Sequence, residues 1–475
     1  MFDEQKLDSV LKEILARWNI PGMGIGMVKG SEIVYARGFG VQSLETQVPV
    51  TQDSVFCLAS IGKCFVASAI LQLVEQGRLG LDVPLIQYLP YFRLDDDRYL
   101  RITLRQILSH TSGMPDMSED EYDDLVANPE SDEGAAERYV RGLSGRKMIA
   151  DPGERFAYSN IAYNVLGDLI AKVSGQTFEA YMKEHILQPA GMDSSTFLLS
   201  EVDQGRLAIP HLRTPGLVVN PIYPYHRADA PASFLHVSVV DACHWIITSL
   251  NRGLYDGSRI LTPASYDLMW TSVVKREDPP FREEMGLGWT MGHYEGNRTI
   301  GHGGGGFGWT CFLVLLPDQN AGAIVMSNED STGHERSLEA VIRALVGEEP
   351  RVGTISWMIP VARALQDGGI RSAYACYDEI RNDPDYSIED YDLMNLVYQL
   401  ISVRKYDLAT EVLELNVSVF PNHAGSYFLM AKNHIRKNDF TRAETALKKV
   451  LEILPGNRTV TNMLAEIRQK RIEHE

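Results

Sequence analysis

Apolar residues recur at helical spacing near the start of the chain and then give way to strand-like runs. Along residues 7–18 the spacing predicts an amphipathic helix, carried by Leu7, Val10, Leu11, Ile14, Leu15 and Trp18. Two β-like runs follow, Gly24–Val28 and Ile33–Arg37, with Gly30 and Ser31 between them. This arrangement predicts a hairpin directly after the helix.

The middle of the chain is helical in pattern, and a second strand pair precedes residue 330. A strongly apolar helix is predicted from Ser60 to Gln76, after the short run Ser54–Leu58, and further helices over 160–173 and 177–188. Two apolar runs between 310 and 328 flank the turn residues 317–320, which predicts another hairpin. Strands at both ends of a helical middle predict an α+β fold. We expect helices packed on an antiparallel sheet, beside a separate helical lobe.

Past residue 350 the pattern becomes helical throughout and repeats every 34 residues. Like residues recur at this spacing: Tyr406 and Phe440, Ala409 and Ala443, Leu413 and Leu447, Pro421 and Pro455, Leu396 and Met430. The period and the residue types resemble tetratricopeptide repeats, and an earlier stretch with Ile370, Ala373 and Tyr377 resembles a degenerate copy. An unrelated helical bundle is the alternative. We therefore expect two domains, residues 1–350 and an all-α repeat domain over 351–475.

Composition and charge narrow the functional classes. Apolar residues make up 44% of the 475 residues and charged residues 23%, as in soluble globular proteins. The net charge of −18 lies almost wholly in residues 1–350, which hold 46 acidic and 29 basic residues. Such a surface repels polyanions, so nucleic-acid binding is not expected.

The cysteines bear on disulfides and metal binding, and the N-terminus bears on the location of the protein. The five cysteines include no Cys-x-x-Cys pair, so neither a disulfide framework nor a zinc site is indicated, and we expect no metal or organic cofactor. The N-terminus lacks the basic-then-apolar pattern of a signal peptide. No apolar run approaches the ~20 residues that span a bilayer. We predict a cytoplasmic protein without a membrane partner.

Ser-x-x-Lys occurs five times, beginning at Ser9, Ser60, Ser144, Ser272 and Ser402. Only Ser60 follows a short strand and opens a long apolar helix, where its side chain and that of Lys63 share one face. A hydroxyl beside an amine suits an activated serine nucleophile. Neutralising a lysine near pH 7 costs roughly 4–5 kcal/mol, and a helix N-terminus supplies at most about 2 kcal/mol of that. The rest of this free energy has to come from burial of the lysine away from water or from a neighbouring group that shares its proton.

The triplet Tyr158-Ser159-Asn160 supplies such a group. Tyr-x-Asn occurs only here among the 21 tyrosines, and the phenol of Tyr158 is the natural partner for Lys63. The two would then act as one coupled base. Ser159 or Asn160 also suits the N-cap of the helix that follows. The two roles are compatible, because Asn160 can cap the helix while its amide faces the site.

A glycine-rich run over 301–306 completes the candidate site. It matches the Gly-x-Gly-x-x-Gly pattern of dinucleotide sites, but an apolar strand follows it instead of the required helix. We therefore reject a nucleotide site. Glycines in a strand mark close approach of the backbone to a ligand, which suits an edge strand whose N–H groups stabilise an oxyanion. For His302 the alternative is a structural histidine bonded within the sheet.

With these motifs in order, residues 5–348 resemble the serine β-lactamase superfamily. The resemblance is strongest to the branch that holds class C β-lactamases, D-alanyl-D-alanine carboxypeptidases, D-aminopeptidases and family VIII carboxylesterases. Two further segments are typical of this branch, Ile102–Gly113 and Tyr158–Met192. The resemblance implies a β-lactamase-like fold for residues 1–350.

The resemblance also implies a role for each residue of the site. Ser60 resembles the nucleophile, and Lys63 with Tyr158 the base pair that activates it. The backbone N–H groups of Ser60 and Gly305 would form the oxyanion hole. Class C β-lactamases have Lys and Thr where this chain has His302 and Gly303, which argues against efficient β-lactam hydrolysis. The substrate-binding residues that the resemblance implies are Asn160, His302, Gly304 and Gly305.

The sequence therefore predicts a serine hydrolase that forms an acyl-enzyme on Ser60. Its substrates would be small peptides, amides or esters, including D-amino-acid compounds, with a carboxylesterase or a weak β-lactamase as the alternative. A second alternative is a catalytically silent scaffold that binds a protein partner or self-associates through 351–475. The segment Asp116–Glu133 holds nine acidic and no basic residues. Such runs are usually solvated loops, and the other interpretation is that this one overhangs the site and attracts a substrate's amine.

Overall fold

The computed structural model describes residues 2–278, 281–330 and 333–474. The chain folds as two compact units. The first takes in the described residues of 1–211, 219–330 and 334–352, and the second those of 212–218, 331–333 and 353–475. A short segment around residue 215 thus belongs with the C-terminal part of the chain. The division into domains 1–350 and 351–475 stays a prediction.

The strands are short outside the central sheet of the first unit. In chain order they are β1 (Gly22–Lys29), β2 (Glu32–Gly40), β3 (Val55–Cys57), β4 (His211–Arg213), β5 (Leu217–Val219), β6 (His236–Ser238), β7 (Leu254–Tyr255), β8 (Ser258–Arg259), β9 (Val274–Asp278), β10 (Arg282–Met285), β11 (Thr290–Tyr294), β12 (Asn297–Gly306), β13 (Trp309–Leu316), β14 (Ala321–Ser327), β15 (Ile355–Ser356) and β16 (Tyr386–Ser387).

The α-helices follow the same chain order. They are α1 (Glu4–Trp18), α2 (Gly62–Glu75), α3 (Leu104–Leu108), α4 (Glu119–Ala127), α5 (Ala135–Gly142), α6 (Asn160–Ser174), α7 (Phe178–Met182), α8 (Ala230–Ser233), α9 (Val239–Leu250), α10 (Pro263–Met269), α11 (Gly333–Val346), α12 (Met358–Ile380), α13 (Asp392–Ser402), α14 (Tyr406–Val419), α15 (Ala424–Arg436), α16 (Phe440–Ile453) and α17 (Arg458–His474).

The central sheet has eight strands in the order β2-β1-β14-β13-β12-β11-β10-β9. Its neighbouring strands pair antiparallel, so the predicted antiparallel sheet is confirmed. The N-terminal hairpin joins the C-terminal strands because β1 lies between β2 and β14. Every residue of β13 and β14 is buried, and helix α9 packs on β1 and β14. The middle of the sheet is therefore core on both faces, as a continuous apolar run indicates.

The predicted helices form with local signals at their ends. Asp3 caps α1 by accepting from the N–H groups of Gln5 and Lys6, and the helix ends at Asn19 with left-handed backbone. Helix α6 ends at Gly175, where φ is 80°, as a glycine C-cap requires. The helix predicted over 177–188 is α-helical only as far as Met182. It continues as a π-helical turn and then a 3-10 turn.

From residue 353 to residue 474, the second unit is helical apart from the two-residue pair β15 and β16. Helices α14 and α16 begin at Tyr406 and Phe440, and α15 and α17 at residues 424 and 458, so both pairs of starts are 34 residues apart. Leu413 and Leu447 of the repeat are buried. The assignment to tetratricopeptide repeats stays a prediction, while the helical fold of this region is confirmed.

The segment 212–218 is held within the second unit through its backbone. The side-chain oxygen of Gln399 accepts a hydrogen bond from the N–H of Arg213 at 2.6 Å, and Lys405 donates to the carbonyl of Thr214 at 2.7 Å. Both bonds go to main-chain atoms of a short hairpin formed by β4 and β5.

Candidate active site

Ser60 lies at a sharp bend between β3 and α2. A single 3-10 turn, Ala59–Ile61, joins the strand to the helix. Ala59 has a φ of 45°, a left-handed conformation that costs a residue with a side chain of order 1 kcal/mol or more. The bend aims the half-buried hydroxyl of Ser60 out of the core. Sequence reasoning placed Ser60 after a short strand and before a helix, and the structure has it there.

Lys63 is completely buried, and its ammonium group is fully engaged. Nζ donates to Ser60 Oγ at 3.0 Å, to Asn160 Oδ1 at 2.7 Å and to the carbonyl of Ala232 at 2.7 Å. An ammonium has three N–H donors and no acceptor, so these bonds satisfy it. Nζ is thus within hydrogen-bond reach of the Ser60 hydroxyl, and once the ammonium has given up a proton it has the geometry that general-base catalysis requires.

Tyr158 lies beside this amine. The centroid of its ring is 5.0 Å from Lys63 Nζ, close enough for a cation–π contact. Its ring also stacks on the imidazole of His110, with the centroids 4.1 Å apart and the planes at 26°. The structure therefore brings the two members of the predicted base pair together, with His110 as a third ring.

Asn160 and Ser159 divide the roles that sequence reasoning left open. Ser159 is the N-cap of α6, because its hydroxyl accepts from the N–H of Ala162 at 3.1 Å. Asn160 is the first helical residue, and its side chain faces the site. Its Nδ2 donates to Asp116 Oδ2 at 3.1 Å and to the hydroxyl of Tyr122 at 2.9 Å. A substrate carbonyl that binds Nδ2 must displace one of these two acceptors.

The glycine-rich run forms β12 and lies directly against the nucleophile. An ideal Cβ on Gly304 would be 2.2 Å from the carbonyl oxygen of Leu58 and 3.1 Å from Ser60 N, so only glycine fits there. A Cβ on Gly305 would meet nothing closer than 3.7 Å. Gly305 pairs with Thr310 of β13. The approach at Gly304 brings the backbone of β12 beside the N–H of Ser60.

His302 is neutral at physiological pH. Its side chain is buried, and burial together with the nearby charge of Lys63 lowers its pKa to about 3. Nδ1 lies 2.5 Å from the carbonyl oxygen of Gly303, so Nδ1 carries the proton and donates. The ring therefore offers no positive charge to a substrate carboxylate.

Three further residues of the site had no role in the sequence analysis: His110, Asp116 and Tyr122. His110 lies in the Ser109-His110-Thr111-Ser112-Gly113 motif, which was used only as a family signal. Asp116 and Tyr122 lie in the acidic segment 116–133, so this segment reaches Asn160. Burial and the charges of Asp229 and Asp116 raise the pKa of Tyr122, so its hydroxyl stays protonated.

Three of the nine acidic residues of this segment pair with arginines. Glu121 pairs with Arg146, and Glu130 and Asp132 both pair with Arg138. These acids hold the segment in place on the first unit. Asp116 is different, because its carboxylate accepts from both N and Nδ2 of Asn160 at the site itself.

A sequence model of the family described as Beta-lactamase matches residues 7–348. The chain belongs to the β-lactamase family. The relatives and solved structures in this family, which include an amidase, an esterase and penicillin-binding protein homologues, are serine hydrolases.

Similar proteins cover the same part of the chain. "Protein flp" of Staphylococcus aureus strain MW2 is 28% identical over 329 residues, which are 69% of this chain and 64% of that protein. This chain therefore spans less than two thirds of that relative. The octameric penicillin-binding protein homologue from Pyrococcus abyssi is 31% identical with a TM-score of 0.64, over 73% of this chain and 78% of that one. D-amino acid amidase from Ochrobactrum anthropi SV3, at 20% identity and a TM-score of 0.62, shares the fold over 73% of this chain and 99% of its own.

Two further properties concern the residues that the structure describes. None of their helices is long and apolar enough to cross a membrane. Within the same residues, no group of three or more His, Cys, Asp or Glu side chains is placed to hold a metal ion.

Proposed function

We propose that the chain hydrolyses small peptides, amides or esters through an acyl-enzyme on Ser60. The observation that carries the proposal is the buried Nζ of Lys63, which bonds to both Ser60 Oγ and Asn160 Oδ1. Burying an ammonium is costly unless it is fully hydrogen-bonded. An amine held this way beside a half-exposed hydroxyl suits catalysis, since a serine is a weak nucleophile until a base takes its proton.

The reaction follows from the placement of these groups. Ser60 Oγ forms a bond to the substrate's carbonyl carbon while the Lys63–Tyr158 pair takes the hydroxyl proton. The carbonyl oxygen becomes an oxyanion that the N–H groups of Ser60 and Gly305 stabilise. The bond to the leaving group then breaks, and the pair delivers the proton to the departing nitrogen or oxygen. Water attacks the ester on Ser60, releases the acid and restores the hydroxyl.

The charges around the site favour a substrate with an amine over one with a carboxylate. His302 is neutral, while Asp116 lies on Asn160 and carries a negative charge into the site. The likeness in fold to a D-amino acid amidase supports the same substrate class. We therefore propose amides and small peptides of D-amino acids as first substrates to test, ahead of β-lactams.

The test is intact-mass spectrometry after brief exposure to a β-lactam, a short-chain ester and a D-amino-acid amide. Wild type, Ser60→Ala and Ser144→Ala are compared. Ser144 begins another Ser-x-x-Lys match and is exposed, so it is a matched control. We expect an adduct in wild type and Ser144→Ala and none in Ser60→Ala. Absence of any adduct in wild type, with all three substrates unconsumed, would contradict the proposal and favour the scaffold alternative.

For the second unit we propose self-association or the binding of a protein partner, as the sequence suggested. The Pyrococcus abyssi homologue is octameric, which favours self-association. Light scattering of the full chain at several concentrations tests this. A mass that is a multiple of 53.1 kDa supports self-association, and a monomer at every concentration contradicts it. The cytoplasmic location stays a prediction.

A further inference from the structure

His110 is a fully buried histidine with a strained backbone at the centre of the site. It follows α3 and has a φ of 54°, a left-handed conformation that is uncommon outside glycine, although histidine adopts it more often than most residues. A residue with such a backbone conformation is held in it by its surroundings, and such residues cluster at active sites. What surrounds His110 is the segment that carries Tyr158.

His110 holds Tyr158 from three directions. The imidazole stacks on the phenol ring, with centroids 4.1 Å apart. The N–H of Ala157 donates to the backbone carbonyl of His110 at 2.8 Å, and the N–H of Ser159 donates to its Nδ1 at 3.2 Å. The residues on both sides of Tyr158 are therefore bonded to the residue on which its ring stacks. Neither the backbone nor the ring of Tyr158 moves without breaking one of these contacts.

These bonds fix the tautomer of His110. Because Nδ1 accepts from Ser159, the ring proton lies on Nε2. In His302 the proton lies on Nδ1, which faces the carbonyl of Gly303, and Nε2 is an acceptor. Both Nε2 atoms are buried, and neither makes a hydrogen bond with a residue that the structure describes. One is thus a donor and the other an acceptor, on two neutral rings of the same site.

The neutral state of His110 is part of this arrangement. Burial, and then the nearby charge of Lys63, lower its pKa well below the usual value. Protonation would place a second N–H on Nδ1, opposite the N–H of Ser159, and would break the bond that fixes Tyr158. A neutral His110 also spares the Lys63–Tyr158 pair a competing cation.

We propose that His110 is a positioning residue, which holds the phenol of Tyr158 where it shares a proton with Lys63 during attack by Ser60. The proposal rests on the acyl-enzyme function proposed above. His110 touches neither the substrate nor the hydroxyl of Ser60 in this role. It acts through Tyr158 alone, and this separates it from a residue that only fills the core.

The test is a double-mutant cycle on the rate of acylation, followed by intact mass at several ester concentrations. The variants are His110→Asn, Tyr158→Phe and the double variant. Asparagine tolerates the left-handed backbone, so His110→Asn should fold, but it lacks the stacking ring. We expect the acylation rate constant to fall about 10- to 100-fold with little change in apparent substrate affinity. In the Tyr158→Phe variant, which already lacks the phenol hydroxyl, adding His110→Asn should lower the acylation rate constant by less than about 3-fold.

A matched control separates positioning from loss of packing. His236 is also completely buried, and burial lowers its pKa to about 4, but it bonds to Tyr223 and not to the site. His236→Asn should lower the melting temperature about as much as His110→Asn while acylation stays within about 2-fold of wild type. If His110→Asn does not fold, His110→Gly also accepts the left-handed backbone, lacks the stacking ring and should show the same dependence on Tyr158.

Two results would overturn the proposal. Losses that multiply in the double variant would show that His110 does not act through Tyr158. Acylation of His110→Asn at the wild-type rate would show that it has no role. A wild type that is never acylated would instead refute the proposed function, and the role of His110 with it. The wild-type measurement thus distinguishes the two failures.

Discussion

Substituting Gly304 by alanine should damage the site more than any other single methyl group added to β12. The new Cβ would lie 2.2 Å from the carbonyl oxygen of Leu58. Ordinary contact requires about 1 Å more, and the obstructing atom is backbone, so a rotamer change cannot relieve the clash. Strand β12 must therefore move away from the turn that carries Ser60. A shift of about 1 Å in a catalytic group costs on the order of 100-fold in rate.

Stability should fall far less than activity. Overpacking of this kind costs about 1–3 kcal/mol, which corresponds to a fall in Tm of roughly 2–10 °C. Gly305→Ala is the control for stability, because its Cβ meets nothing within 3.7 Å, and its Tm should stay within about 1 °C of wild type. The assay pairs thermal denaturation with the acylation rate on the best ester or amide. Acylation of Gly304→Ala at the wild-type rate would refute the close approach of β12 to Ser60.

Two further predictions concern charge. The pKa of His302 is lowered to about 3 in the folded chain from about 6.5 when unfolded, so the unfolded state binds more protons between these values. The stabilisation from neutral His302 should be complete above about pH 6.5 and fall as the pH drops towards 3, by up to about 1.4 kcal/mol per pH unit. In urea titrations at several pH values, His302→Gln should show a weaker dependence of the unfolding free energy on pH. Equal slopes of unfolding free energy against pH in wild type and variant would contradict this prediction. Asp116→Asn should raise KM for a D-amino-acid amide more than for a neutral ester, because it removes the carboxylate on Asn160, whereas equal changes in both KM values would show that Asp116 does not attract the amine.

Periodicity in the sequence predicted the elements that local packing determines. Helix α1 buries Leu7, Leu11, Ile14 and Trp18 as its spacing indicated, and α2 is buried almost throughout, as its apolar run required. The hairpins at both ends of the first unit form for the same reason. Such elements are predictable because each residue's burial depends on neighbours three or four positions away in a helix and two in a strand.

The contacts that complete the site could not be predicted in this way. His110 and Tyr158 are 48 residues apart in sequence, and their stacking depends on how α3 and α6 pack. Asp116 and Tyr122 lie in an acidic run whose usual structure is a solvated loop, and only the fold brings them to Asn160. The π-helical turn after Met182 likewise arises from packing, because the sequence there continues to favour an α-helix.

The acyl-enzyme on Ser60 is tested most sharply by finding which residue of the chain carries the acyl group. Wild type is treated with the reagent that gives the longest-lived adduct, quenched in acid, digested with pepsin and analysed by tandem mass spectrometry. We expect one modified residue, Ser60, in wild type and in Ser144→Ala, and an unmodified peptide in Ser60→Ala. An acyl group on any other residue, or an adduct that survives in Ser60→Ala, would contradict it.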